Sequence, residues 1–179
     1  MPKKKSSRRK PRFILIINAS PRRKYSKTAR FWRHFEKSLS PECDWEHIDL
    51  RKYKIPFADG KYTKARGDMA RLRNLVLDCD GMFIATPTYW YNAPATLKAF
   101  IEQLTPIEKK LWKRERKLAL AVYSPEGGEL GVFTAVVAPL NMMGFSLIGN
   151  GYAWSAGRQS AGQWWLKEIK EMAEIFSNL

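Results

Sequence analysis

Cysteine is scarce in this chain, with only Cys43 and Cys79 among 179 residues. An iron–sulfur cluster ordinarily takes four thiolates, and neither cysteine stands in a metal or redox spacing. No cluster and no metal site is expected. Two such thiols suit a reducing compartment, where most cysteines are plain buried side chains, so a cytoplasmic setting is expected. Histidine is equally scarce. His34 and His47 have no metal spacing and no serine or cysteine nucleophile near them in pattern, and both read as structural or surface residues. No apolar run approaches the roughly 20 residues that cross a bilayer, so no membrane segment is expected. The run from Phe13 to Ile17 follows a charged segment, as in a secretory signal. It is short, however, Asn18 interrupts it, and Arg22, Arg23 and Lys24 follow at once. It reads as a first core strand. Acidic residues are also in deficit, 17 against 32 basic ones, for a net charge of +15.

What is present is enough for one sizeable core, since 45% of the residues are hydrophobic and single domains commonly run to about 100–150 residues. Residues 1–11 read as a basic, flexible arm and 12–179 as one domain, with no internal repeat. The stretch through Arg12 holds seven basic residues and no acid, which leaves the remainder an excess of eight positive charges. A solvated, disordered arm is the expectation. Nonspecific contact with nucleic acid or an anionic surface through residues 3–12 is the lesser one.

Strand and helix patterns alternate along the chain. Apolar runs at 13–17, 80–85, 118–123 and 145–149, with a partly alternating 44–50, read as five strands. Helical spacing marks 27–39, 67–77, 95–104, 128–143 and 163–176, and Gly144 closes the fourth of these. Residues 51–66 form a long polar connection. Buried strands alternating with helices imply an α/β fold, a five-stranded parallel sheet covered on both faces.

Three loops stand at strand ends. The first, Ala19 to Thr28, carries Ser20, Arg22, Ser26, Lys27 and Thr28 between a buried strand and a helix start. A helix N-terminus offers unpaired N–H groups and the positive end of its dipole. With added hydroxyls and cations it suits a phosphate, although an ordinary basic surface loop has the same composition. The loop has no glycine, so it is neither a Walker loop nor a dinucleotide turn. The second, Pro87-Thr88-Tyr89-Trp90-Tyr91-Asn92, places three aromatics between prolines, where they can wall or stack on a flat ring. The third, Ser124-Pro125-Glu126-Gly127-Gly128, permits close backbone approach at Gly127 and Gly128. It is also the composition of a plain turn.

The run Ala-Ser-Pro-Arg at 19–22 and the run from Thr86 to Glu102 resemble the NAD(P)H-dependent FMN reductases of the flavodoxin-like superfamily. The patterns there are G-S-P-R-(few)-[NS]-x-T and D-G-x-x-x-x-[ST]-P-x-Y-x-x-x-x-[SP]-[AG]-x-[LM]-K-x-F-x-[DE], and the likeness extends over residues 12–178. It implies a flavodoxin-like three-layer sandwich with strand order 2-1-3-4-5. It implies FMN as cofactor, held by fourteen loop residues, Ser20, Arg22, Ser26, Lys27, Thr28, the six from Pro87 to Asn92, Ser124, Gly127 and Gly128, and NADPH or NADH as co-substrate. Reducing equivalents would pass to a quinone, a flavin or a similar acceptor, with no side chain acting as acid or base. The basic body suits a site that attracts the phosphates of FMN and NAD(P)H. The resemblance also implies a homodimer, possibly a tetramer, whose partner covers the flavin. Two departures stand out. Iron–sulfur relatives carry cysteines where this chain reads Ile55 to Met69 without one, and Lys24 and Tyr25 replace the usual Asn and Gly. The alternatives are a non-enzymatic FMN electron carrier, or a nucleic-acid-associated redox sensor that uses the basic arm.

Overall fold

The computed structural model describes residues 12–24, 26–60, 67–154 and 164–178. The basic arm, Tyr25 and part of the 51–66 connection lie outside the described residues. Five strands form one sheet: β1 (Arg12–Asn18), β2 (Cys43–Asp49), β3 (Gly81–Pro87), β4 (Arg116–Ser124) and β5 (Phe145–Trp154). Their order is β2-β1-β3-β4-β5, and every pair is parallel. The helices are α1 (Thr28–Ser38), α2 (Asp68–Asp78), α3 (Ala95–Glu102), α4 (Glu108–Leu111), α5 (Glu129–Met142) and α6 (Trp164–Ser177).

Strand alternation divides the core into two layers. Leu15, Ile17, Met82, Ile84, Leu118 and Leu120 face one side, against α2, α3 and α5. Ile14, Ile16, Phe83, Ala85, Ala119 and Ala121 face the other, against α1 and α6. Each of the leucine, isoleucine, methionine and phenylalanine side chains contributes about 1.5–3 kcal/mol when fully buried, which makes a one-residue slip of register prohibitive. The small Ala119 and Ala121 leave room for aromatics. Phe35 stacks on Phe83 with centroids 4.0 Å apart, and Phe176 meets Phe35 edge-on at 5.5 Å.

Several boundaries differ from the periodicity reading. Strand β5 continues past Gly149 to Trp154, following β4 through a register shift between Leu118 and Ala119. Glycines at 149 and 151 broke the apolar run, yet their lack of a side chain is what admits Met172 and Glu168 above the strand. The polar connection opens with a 3₁₀ turn at Leu50–Lys52, and Thr105–Ile107 plus α4 fill the stretch after α3. Such short turns carry too little periodicity to read. Gly144, at φ +88, does end α5.

Candidate functional site

Chain direction reverses across the sheet between β1 and β3, since β1 leads outward to β2 on one side and β3 leads to β4 on the other. Parallel sheets open a crevice at the carboxyl ends of such strands, because their two following loops diverge to opposite faces. Here a cleft lies there. It is lined by Ser20, Arg22, Ser26, Lys27 and Thr28 from the first loop, Pro87, Thr88 and Tyr89 from the second, and Tyr123 and Pro125 from the end of β4. Eight of the fourteen residues expected from sequence therefore meet in one cleft.

Asn18, the last residue of β1, organises the first loop. Its buried Oδ1 accepts from the Ser20 N–H at 3.3 Å and from the Thr28 hydroxyl at 3.1 Å. A hydroxyl carries one proton, so Thr28 must accept from Ser26 in their 2.6 Å contact. The protons of Ser26 and Thr28 are thus spent on holding the loop. Ser20 differs: its Oγ accepts from the Arg22 N–H at 3.3 Å, and its own proton has no partner among the described residues. No side chain caps the α1 N-terminus, and no acid stands in its first turn. Ala29 and Arg30 N–H in the first turn of α1 already donate to the Ser26 and Lys27 carbonyls, so the donors left for an anion are the Ser20 hydroxyl, the Thr28 N–H that opens α1 and the exposed Arg22 and Lys27. No cleft-lining residue is acidic. Sequence reasoning missed Asn18, Tyr123 and Pro125. A lone amide closing an apolar strand was the available sign for Asn18.

The second loop is a tight hairpin. Tyr89 N–H donates to the Asn92 carbonyl at 2.8 Å and Asn92 N–H returns to Tyr89 at 3.0 Å. Trp90 and Tyr91 occupy left-handed backbone, φ +48 and +59, as a type I′ turn demands of both central residues. Asparagine and glycine favour these positions, and a bulky residue there costs of order 1–3 kcal/mol. The hairpin turns its three aromatics apart. Tyr89 lines the cleft, whereas Trp90 is 95% exposed and Tyr91 63% exposed, neither on the cleft wall. Asn92 borders a separate groove with Lys98, Leu130 and Thr134. Thr88 N–H donates to the Tyr123 carbonyl at 2.9 Å and ties the ends of β3 and β4 together.

The third loop turns inward. Buried Ser124 donates to the Gly127 carbonyl at 2.6 Å. Gly127 and Gly128 have φ of +94 and +97, and the close approach that Gly128 permits is by Tyr91: a Cβ there would stand 2.4 Å from the Tyr91 Cα. Ser124, Gly127 and Gly128 do not line the cleft.

The two histidines and Asp49 make structural contacts away from the cleft. His34 Nε2 donates to the Leu166 carbonyl at 3.0 Å. His47 stacks on Trp32 at 3.9 Å, and burial lowers its pKa. Arg51 pairs with Asp49 at 2.7 Å. Trp165 is buried edge-on to Phe31. Among the described residues no cluster of His, Cys, Asp and Glu is placed to hold a metal, and no helix is long and apolar enough to cross a membrane.

Comparison with known proteins agrees with this architecture. An FMN-dependent NADH:quinone oxidoreductase of Nocardia farcinica (strain IFM 10152) is 30% identical over 148 residues, covering 63% of this chain and 67% of that protein. A Bacillus subtilis (strain 168) protein named as an NAD(P)H-dependent FMN-containing oxidoreductase is 35% identical over 66 residues, covering 34% of this chain and 36% of that protein. The chain thus matches about a third of the length of that relative. An FMN-dependent NADH-azoreductase from Bacillus anthracis, solved in complex with FMN, shares the fold with a TM-score of 0.70 at 16% identity, covering 93% of this chain and 100% of that one. The family model for NADPH-dependent FMN reductases matches residues 13–159, a span that takes in all three loops around the cleft, and the chain belongs to that family.

Proposed function

We propose that the chain is an FMN-dependent oxidoreductase that takes reducing equivalents from NADPH or NADH and passes them to a quinone, a flavin or a similar acceptor. The observation that carries the reading is the acid-free cleft at the β1/β3 switch, lined both by the start of a helix without a side-chain cap and by Tyr89. Its donor set fits the cofactor. A phosphate dianion needs N–H and O–H donors and positive charge, and the loop from Ser20 to Thr28 presents both. A flat ring needs an apolar wall, and Pro87, Tyr89, Tyr123 and Pro125 supply one.

FMN, when bound, supplies the hydride chemistry, and the protein's share is binding and orientation. In this reading Ser20, Arg22 and Lys27 hold the phosphate. Ser26 and Thr28 keep the loop in shape through Asn18. Pro87, Thr88 and Tyr89 wall the ring. Ser124, Gly127 and Gly128 act at one remove, by seating the hairpin. No side chain is assigned as acid or base.

We further propose a cytoplasmic homodimer of one-domain subunits preceded by a basic arm. Helix α5 supports the dimer. Glu129 is its one charged residue, in a chain that is 27% charged. It nonetheless exposes Leu130 at 76% near its start and Met142 at 71% at its end. Apolar surface of this kind on a helix suits a contact, and on a chain of +15 a helix with a single charged residue fits a second copy of itself. The functional test is an FMN titration followed by steady-state NADPH oxidation with a quinone acceptor. FMN bound at one per chain with turnover supports the reading. FMN binding without any NADPH or NADH oxidation would make the protein a carrier, and no flavin binding would overturn the cofactor assignment.

A further inference from the structure

Helix α5 carries a second glycine, Gly131, outside the cleft and outside every loop singled out by sequence. Its surroundings are unusual for a helical residue. A Cβ built on it would stand 2.1 Å from the Tyr91 carbonyl oxygen, far inside any contact real Cβ atoms make. Gly128, one turn earlier, meets the Cα of the same residue, and a Cβ on Gly127 would still touch the Tyr91 ring, at 3.7 Å. Two glycines one turn apart thus form a socket, and the backbone of Tyr91 sits in it. The socket supplies what the turn's own residues do not. Trp90 and Tyr91 are poor choices for a type I′ turn, so the turn's shape must be imposed from outside. Docking on α5 imposes it, and the two bonds between Tyr89 and Asn92 pass that placement to the Tyr89 ring in the cleft.

We infer that Gly131 is a positioning residue: its missing side chain lets the Trp90–Tyr91 turn seat on α5, and the seated turn holds Tyr89 against the cleft. This rests on the flavin reading of the cleft above. Elsewhere in a helix, alanine is the better residue than glycine. Here it lifts the hairpin instead.

The test is Gly131→Ala in the full chain, with Thr134→Ala on the same helix as control. In apoprotein, amide exchange at Tyr89 and Asn92 should quicken at least tenfold in Gly131→Ala, with far-UV circular dichroism unchanged. In flavin titrations, FMN and riboflavin affinities should both fall about three- to tenfold, the scale of a lost aromatic contact. The ratio between them should stay within twofold of wild type, because the phosphate loop belongs to β1 and α1. Adding Tyr89→Leu to Gly131→Ala should cost nothing further beyond twofold. Unchanged exchange and affinities, a collapsed FMN-to-riboflavin ratio, additivity with Tyr89→Leu, or an unfolded variant would each overturn the inference. The apoprotein exchange decides it even if the wild type binds no flavin, a result that would sink the cofactor reading separately.

Discussion

Arg22→Ala separates a phosphate site from a generally basic surface. Arg22 lines the cleft, and its backbone N–H is tied to Ser20 Oγ at 3.3 Å, so its side chain springs from a fixed point. A hydrogen bond to a charged group is worth about 1.5–3 kcal/mol, and tenfold in affinity corresponds to about 1.4 kcal/mol. Arg22 is exposed, which places the loss at the lower end, about tenfold for FMN. Riboflavin has no phosphate and should lose less than twofold. Lys37→Ala removes the same charge from the far end of α1. Ten residues at 1.5 Å each put it roughly 15 Å from Lys27, beyond the ~10 Å screening length at 0.1 M salt. It should leave both affinities unchanged. The assay is fluorescence titration of each flavin at fixed ionic strength. Equal losses for FMN and riboflavin in Arg22→Ala, or an equal FMN loss in Lys37→Ala, would refute the assignment of the first loop to phosphate.

Gly81→Ala should destabilise the fold by about 1–3 kcal/mol, as overpacked cores do. A Cβ there would lie 2.2 Å from Cε1 of the fully buried Phe176, and thermal unfolding should show a Tm lower by several degrees. Burial pushes the Cys79 thiol up to about 12. It should therefore resist iodoacetamide at pH 8 in the native protein and react only on unfolding, which mass spectrometry of labelled protein would reveal. Burial lowers the His47 pKa below its ordinary 6.5, so the folded state takes up this proton later than the unfolded state. Its contribution is intact above about pH 6.5 and is lost as the pH falls from there through the folded value. His47→Phe should flatten that part of a urea-derived stability–pH profile, and an unchanged slope would show that other groups set it.

The amino-acid sequence by itself determined the sheet and the position of the cleft. Short continuous apolar runs such as Ile14–Ile17 and Leu118–Val122, too brief for core helices, read as strands buried on both faces. Helical spacing between them leaves a parallel, doubly covered sheet, and its loops must gather at the strand ends. The composition of the first loop was likewise legible, because charge and hydroxyl content are local properties. Tertiary structure decided which of those groups have anything to offer. Whether the Thr28 proton is free depends on Asn18, ten residues away in sequence and 3.1 Å away in space. Three adjacent aromatics read alike in the chain, yet a left-handed turn sends Tyr89 into the cleft and Trp90 into solvent. Gly128 read as room for a ligand, and Gly131 read as nothing. Both make room for the backbone of Tyr91, a contact some forty residues away that exists only once α3 and α5 pack side by side on the sheet. Periodicity reports the environment of a segment. Which atoms it meets depends on how separate segments dock, and no single stretch of sequence encodes that.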